Sequence, residues 1–352
     1  MVNPSYFCPM INDQHPEFFK AFSELINQRQ KINTPILITA HQNPDGDAVG
    51  SALGLHWYFK RLGISSVVMM PNSYPKFLDW MPGSKDIVIY ENTPEKGKAA
   101  VEAAEYMFIL DYNDLSRAGN ELCDVIGRSK AVKFMIDHHV APSNCARYIY
   151  SDAKQPSTAQ MVMLLLMELN SHELLGKDGA ACLFTGIITD TGSFRFPLVT
   201  AETFRITAAL FDLGIDHSAI YAHVYDSYDE RRFRLLGYML AQMEVLGDAG
   251  VSVLYLTKEQ QQKEQMKKGD TEGFVNYGLN LKGAKVAAFF REDEDFTRIS
   301  FRSKGQIDMN VFARAHFNGG GHVNAAGGSS YDSLQDTLTR FKELIVPYVQ
   351  IA

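Results

Sequence analysis

Cysteine is scarce in this chain, and so are tryptophan, basic excess and long apolar runs. The four cysteines (Cys8, Cys123, Cys145, Cys182) are scattered with no C-x-x-C pair. That spacing argues against a disulfide framework or a thiolate zinc site, and it fits a reducing cytoplasm. Apolar stretches such as Met161–Met167 fall well short of the roughly 20 residues that a membrane span needs, so no membrane partner is expected. Met1 to Met10 has no basic segment leading into an apolar one, so no secretory signal is expected. Lysine and arginine number 34 against 41 aspartates and glutamates, a formal charge of −7. Proteins that grip long nucleic acid gain affinity by neutralising phosphates and show a basic footprint. None is visible globally here, so a nucleic-acid ligand should be short and held by local groups.

At 352 residues the chain exceeds what one hydrophobic core usually spans, and two domains are the default. From Pro35 the pattern alternates. Pro35–Ala40 is a short apolar run, a loop follows at His41–Asp47, and Ala48–Gly63 reads as a helix. Further strand-like runs stand at Ile64–Met70, Ile87–Tyr90, Tyr106–Leu110 and Val132–Ile136, with helical stretches between several of them. Buried strands alternating with helices predict a mostly parallel α/β sheet covered on both faces. Ser157 and Gln160 form a plausible capping box for a helix reaching Leu169. Residues 178–246 read as mainly helical, with Asp229–Leu246 as a connector. Strands return at Val251–Leu256, Ala284–Phe290 and Phe296–Arg302, and a Gly-rich turn and a helix over Ser333–Val346 complete a second, smaller α/β domain. Lys263–Asp270 is polar and reads as an exposed loop or helix end. The expected boundaries are 1–228 for a catalytic domain, 229–247 for the connector and 248–352 for a substrate-binding domain.

Four polar clusters lie at or just beyond apolar runs, where ligands of open α/β sheets collect. The first is His41-Gln-Asn-Pro-Asp45-Gly-Asp47, in which Pro44 and Gly46 bend the loop so that His41, Asp45 and Asp47 can converge. The second is Asp111, with Asp114 three residues on, and the third is Asp137-His138-His139. The fourth is Asp190, read as a carboxylate in a tight turn after an apolar segment. Imidazoles and carboxylates without thiolates suit hard or borderline divalent metals, manganese among them. Two ions sharing one carboxylate need about six protein ligands, and His41, Asp45, Asp47, Asp111, His138 and Asp190 supply that number. Such a pair would acidify a water and clamp both sides of an in-line attack on phosphorus. Singly, each aspartate has a simpler role as helix cap or turn former, and Asp137 one as an orienting group for a neighbouring histidine. Asp114 reads as solvent-facing or as a support behind the ligands, and His15, His56, His172, His217, His223 and His316 have no convergent partners.

These motifs, in this order, resemble those of the DHH phosphoesterases: His41-x-Asn-Pro-Asp45-x-Asp47 with Gly50-Ser51, then Asp111, Asp137-His138-His139 and Gly-Ile-Ile-Thr-Asp190-Thr-Gly. Gly319-Gly320-Gly321-His322 with Ala325-Ala326-Gly327 resembles the hallmark of the DHH-associated domain. The resemblance runs from about residue 18 onward and is nearest to the nanoRNase and pAp phosphatase branch. It implies that His41 and Asp45 hold one manganese, that Asp47, His138 and Asp190 hold the other, and that Asp111 bridges them. It also implies that His139 contacts the scissile phosphate or helps the leaving oxygen. Gln160 stands where many relatives are expected to carry a glutamate.

Residues 298–322 break the acidic average: Arg298, Arg302, Lys304 and Arg314 stand against Asp308 alone. A glycine triplet allows close backbone approach, and if it opened a helix its N–H groups would receive an anion. Read alone, it is a surface turn beside a solvated basic strand. Beside the metal motifs, and by the resemblance, Arg302, Gly320, Gly321 and His322 are the candidate substrate-binding residues. The expected activity is metal-dependent hydrolysis of short RNA or of pAp (adenosine carrying 3′ and 5′ phosphates). The alternatives are an exopolyphosphatase, a pApA or cyclic-di-AMP phosphodiesterase, and a non-catalytic nucleotide sensor or RNA-binding module. A related pyrophosphatase would carry a Ser-Arg-Lys-Lys-Gln motif, which the sequence lacks. Nothing in the sequence fixes the oligomeric state; a homodimer stands as one option.

Overall fold

The computed structural model describes residues 11–267 and 269–351. Met1–Met10, with Cys8 and the expectation of no secretory signal, lie outside the described residues, as do Lys268 and Ala352. The chain divides into two compact units that meet between Ser227 and Tyr228. Both are α/β. Cys123, Cys145 and Cys182 are free thiols, and among the described residues no helix is long and apolar enough to cross a membrane.

The first unit is built on strands β1 (Ile36–Thr39), β2 (Ser66–Met70), β3 (Val88–Ile89), β4 (Tyr106–Leu110), β5 (Val132–Asp137) and β6 (Tyr148–Ser151). Their order is β3-β2-β1-β4-β5-β6 with every pairing parallel. In β1, Ile36 and Ile38 join one apolar cluster and Leu37 joins the other. Burial on both faces explains why these strands read as unbroken apolar runs. The chain steps outward from β1 to β3, then returns to β4 beside β1 and steps the other way. That reversal opens a crevice at the carboxyl ends of β1 and β4.

Helices α1 (Gly46–Arg61), α2 (Thr158–Glu168) and α3 (Gly176–Asp190) pack on the face that carries Ile36 and Ile38. Glycine sets how closely α1 and α3 approach. A Cβ on Gly50 would lie 2.6 Å from the Cys182 carbonyl oxygen and 2.9 Å from the Gly186 nitrogen. Both obstacles are backbone, so no rotamer change makes room.

The second unit holds β7 (Glu244–Leu246), β8 (Val251–Leu256), β9 (Val286–Glu292), β10 (Thr297–Ser303), β11 (Gly320–His322) and β12 (Ala325–Ser330), ordered β11-β12-β10-β9-β8-β7. Only β8–β9 is a parallel pairing. One sheet face buries Phe290, Ile299 and Phe301 beneath α6 (Met309–His316) and α7 (Leu334–Ile351). On the opposite face Leu254, Leu256, Ala287 and Phe289 pack under Leu235 and Met239 of α4 (Glu230–Ala241) and under Phe274 and Val275 of α5 (Phe274–Leu279).

Several local readings need correction. The helix read from Ala48 begins at Gly46, because the Asp45 side chain caps it by accepting from the Asp47 and Ala48 amides. Asp190 is the last residue of α3; the turn begins after it, where Gly192, Ser193 and Phe194 all have positive φ. The helix read over Asp229–Leu246 stops at Ala241, and Glu244–Leu246 instead pairs with β8 across a turn through Gly250, at φ 66°. The last helix runs past Pro347 to Ile351, held by buried Val349. The Ser157 hydroxyl accepts from the Gln160 amide, but the Gln160 side chain donates to Gln155 rather than returning to Ser157, so the box is half formed. The glycine triplet opens no helix: Gly320–His322 is an edge strand on β12.

The α1–α3 contact gives a direct test. Gly50→Ala inserts a methyl into backbone, and overpacking of this kind costs about 1–3 kcal/mol. The melting temperature should fall by about 2–4 °C for each kcal/mol in a unit of this size. An unchanged melting temperature would show that the two helices are not in this close contact.

Candidate metal centre

The crevice collects groups from several elements. His41 lies two residues past β1, Asp45 and Asp47 open α1, Asp111 follows β4 directly, His138 and His139 follow β5, and Asp190 ends α3. All six side chains expected as ligands are brought together. Three trios, His41–Asp45–Asp111, Asp47–His138–Asp190 and Asp111–His138–His139, each offer ligand atoms within 4.8 Å of one another. Asp111 joins the halves: its Oδ2 is 3.3 Å from His41 Nε2 and its Oδ1 is 3.5 Å from His138 Nε2. His138 Nε2 also lies 3.2 Å from Asp190 Oδ2. Asp111 adopts φ 63°, a conformation that is costly for a non-glycine residue and that clusters at functional sites.

Supporting contacts fix these groups. The Asp47 carboxylate accepts from the backbone amides of Thr158 (2.6 Å) and Ala159 (2.9 Å), at the start of α2. Thr158 also donates its hydroxyl to Asp111 Oδ1 at 3.0 Å. Buried Asp137 accepts from the His139 amide (2.8 Å) and lies 2.7 Å from His139 Nδ1. Asn72 pins the first loop by accepting from the Asn43 amide and donating to its side chain, while Asn113 donates to the carbonyls of His139 and Val140. Asp114 lies apart, capping a turn through Ser116. Sequence reasoning missed Thr158, Asn72 and Asn113. Thr158 stands beside the legible cap at Ser157, but backbone donors leave no mark in side-chain identity.

Whether this set suits a metal turns on the histidine edges. Nδ1 of His41 is 2.9 Å from the Gln42 carbonyl oxygen, and Nδ1 of His138 is 3.1 Å from that of Gln155. A carbonyl only accepts, so each Nδ1 carries its hydrogen, and in a neutral ring Nε2 turns a lone pair toward carboxylate oxygens. That facing is repulsive unless a proton or a metal ion lies between. Carbonyl-oriented imidazoles with carboxylates are the arrangement that metal sites use, and the set fits a divalent ion. Among the described residues no lysine or arginine pairs with Asp47 or Asp111, although both are almost wholly buried.

In the second unit, Arg302 and His322 both stand opposite Ala325 in the strand register, and Ser300 and Gly320 both stand opposite Gly327. Residues directly opposite in antiparallel pairs share a face, so Arg302 and His322 flank Ala325, about 10 Å apart by strand spacing. The Gly321 amide donates to Asn310 Oδ1 at 3.0 Å, an anchor the sequence did not announce.

A parallel sheet with a paired imidazole–carboxylate cluster at its switch point defines the class as α/β proteins with a centre suited to divalent metal. The chain belongs to the DHH family: the pattern of the DHH family N-terminal domain matches residues 35–187, and that of the DHHA1 domain matches residues 248–349. It is similar to the crystal structure of an exopolyphosphatase-related protein from Bacteroides fragilis, at 37% identity, TM-score 0.91, 96% of this chain and 97% of that one. The bifunctional oligoribonuclease and PAP phosphatase NrnA of Thermus thermophilus is 29% identical over 326 residues, 90% of this chain and 91% of the relative. The protein of the same name from Bacillus subtilis is 26% identical over 326 residues, 88% and 93% of the two chains.

Electrostatics of the cluster yield a pH prediction. Burial alone would lower His41, but its bond to Asp111 and the charge of Asp45 outweigh burial and raise it to about 9. Burial likewise works against His138, and Asp111 and Asp47 win there too, raising it. Asp47 is pushed up by burial and by Asp111 and Asp190, against the two amides that favour its charged form. Burial also pushes Asp111 up, but the His41 bond and the surrounding imidazoles hold it well below the usual carboxylate range. A histidine raised above 6.5 stabilises the fold fully below that pH and loses the contribution as pH climbs through its folded value, about 9 for His41. In chelator, the melting temperature should therefore decline from pH 6.5 to 9, and His41→Asn should flatten the decline. A wild-type profile that is level or rising over this window would refute the account.

Proposed function

We propose that the chain is a two-metal phosphoesterase that hydrolyses short oligoribonucleotides and pAp, with manganese as its native ion. The observation that carries this reading is the shared carboxylate of Asp111, one oxygen toward His41 and the other toward His138. The likeness along nearly the whole chain to proteins named oligoribonuclease and PAP phosphatase supports the substrate class. His41, Asp45 and Asp111 would hold one ion, and Asp47, His138 and Asp190 the other, with Asp111 common to both. When bound, such a pair supplies an acidified water and neutralises the charge that develops on phosphoryl oxygens.

The remaining steps belong to this chain's own groups. Asp137 fixes His139 through Nδ1, so His139 would act through Nε2 on the scissile phosphate or the departing ribose oxygen. Thr158 and Ala159 hold Asp47 in place, which spares the ligand set from rearranging as charge moves. In the second unit, Arg302 and His322 would grip a phosphate of the substrate across the small Ala325 and Gly327, with Gly320 and Gly321 as the adjoining backbone. The modest negative charge of the whole chain suits a ligand of a few nucleotides, not a long polymer.

The experiment is hydrolysis of RNA di- to pentanucleotides and of pAp, with manganese added to chelator-treated protein. Mononucleotides and phosphate should appear, and Asp111→Ala should slow both reactions by roughly a thousandfold or more, the scale of several kcal/mol of charge stabilisation. Wild-type rates in Asp111→Ala, or no turnover of any short nucleotide, would overturn the proposal. A second reading, exopolyphosphatase, is favoured by the name of the Bacteroides fragilis protein. Competing polyphosphate, pyrophosphate and pAp at equal concentration separates the two.

A further inference from the structure

The helix Ala201–Asp212 follows the turn beyond Asp190 and packs on the first unit by one side. Ile206 and Leu210 join the core, and Thr203 is buried, its hydroxyl accepting from the Thr200 amide at the helix start. The other side is exposed at Ala201, Phe204, Arg205, Ala208, Phe211 and Asp212. These positions recur at helical spacing and form one stripe. Helix faces turned to water carry charged and polar residues, yet Phe204 is 55% exposed and Phe211 40%. Phe196 and Leu198, on the loop leading into the helix, are 41% and 44% exposed. An apolar patch of this kind marks an interaction site.

The order of residues in the stripe says what fits it. Positions seven apart lie almost two full turns apart, on nearly the same line. Ala201 therefore lines up with Ala208, Phe204 with Phe211, and Arg205 with Asp212. The last of these pairs changes sign, so the stripe complements itself when reversed. A second copy lying antiparallel, about a two-fold axis at Ala208, sets Arg205 of each copy against Asp212 of the other. The same axis sets Phe204 of each against Phe211 of the other, as a two-fold interface requires. Ala208, on the axis, lets the helices approach closely. A parallel pairing would instead oppose arginine to arginine and align the helix dipoles. A uniformly acidic or basic partner would match one end of the stripe and be repelled at the other. The helix is about 18 Å long, the centre of a face of the roughly 800 Å² that each partner of a specific dimer buries.

We propose that this stripe is the interface of a homodimer, with the two helices antiparallel about Ala208. The interface is not remote from the crevice. Phe204 stacks on Phe194, ring centroids 5.3 Å apart. Phe194 ends the run of positive φ at Gly192, Ser193 and Phe194 that begins two residues after Asp190. A bulky side chain is rarely held in that conformation. A second copy covering Phe204 would hold the ring that Phe194 rests on, and so support the turn behind a candidate metal ligand.

The test is the mass in solution, by light scattering on the full chain over a range of concentrations. Wild type should show twice the mass of one chain. Ala208→Arg puts two like charges on the axis and should weaken association at least about a hundredfold, to the mass of one chain. Arg205→Asp opposes carboxylate to carboxylate twice and should weaken it at least about tenfold. Combining Arg205→Asp with Asp212→Arg restores both pairs with their signs exchanged and should recover wild-type association. Both of these charge changes suit the helix dipole, so cooperative melting should persist. If Ala208→Arg alone fails to melt cooperatively, the charge exchange decides. Wild type at the mass of one chain would overturn the proposal and leave the face to a different partner. A dimer indifferent to Ala208→Arg, or an exchanged pair that recovers nothing, would overturn it as well.

Discussion

The cluster suited to metal depends on two helices coming closer than ordinary side chains permit. Gly50 of α1 lies against the α3 backbone, and the same contact recurs toward the crevice. A Cβ on Gly46 would strike the Thr189 side chain at 2.3 Å, and one on Gly186 would stand 2.8 Å from Asp47 Oδ1. The start of α1 and the end of α3 are thereby drawn together, and with them Asp45, Asp47 and Asp190. The placement is asymmetric. Aspartates at a helix N-terminus are favoured by the helix dipole, whereas one at a C-terminus meets unsatisfied carbonyls of its own sign. Asp190 occupies the unfavourable end, 3.2 Å from His138. A fold that puts a carboxylate there needs a compensating positive charge.

The source of that charge is limited. Burial of Asp47 and Asp111 to 1% and 2% exposure makes an ionised carboxylate expensive unless it is paired or hydrogen-bonded. The α2 amides meet part of the cost for Asp47, and Thr158 meets part for Asp111. The rest falls to His41 and His138, whose protons are bound more tightly than in free histidine because the carboxylates are there. Protons and divalent ions would thus compete for the same place, between imidazole Nε2 and carboxylate oxygen. A site built this way would bind metal better as pH rises and its protons leave.

Much of this was legible beforehand, for identifiable reasons. Strands β4 and β8 match the apolar runs to the residue, since burial on both faces leaves an unbroken signal bounded by polar residues. The convergence of the six candidate ligands could be anticipated because metal chemistry constrains side-chain type, and Asp-His-His after a strand serves few structural needs. What escaped was set by tertiary contact. Asp190 reads as a turn residue because Thr-Gly-Ser follows it, yet α3 carries on through Asp190 with buried Ile187 and Ile188 packed in the core. Leu240, Met243 and Leu246 keep helical spacing, yet the hairpin through Gly250 takes Leu246 into a strand. Asn72 and Asn113 act through loop backbones distant in sequence, which no local pattern encodes.

The glycine triplet shows how one motif can answer to two constraints. A Cβ on Gly319 would sit 1.9 Å from the Gly327 carbonyl oxygen, and one on Gly321 would lie 2.5 Å from that of Ala325. Packing alone therefore demands glycine, with no appeal to a ligand. Packing does not explain what stands beside it. Beside Ser300 and Arg302, β12 places Gly327 and Ala325, and β11 beyond them Gly320 and His322, so the sheet carries nothing larger than a methyl group between a guanidinium and an imidazole. Elsewhere that face is covered, by α4 and α5 over Leu254 and Phe289. Leaving sheet bare forfeits apolar burial, and a row of small residues flanked by an arginine and a histidine is not needed to close a core. On the proposed function, the uncovered part of the face would be space kept for a phosphate of the substrate.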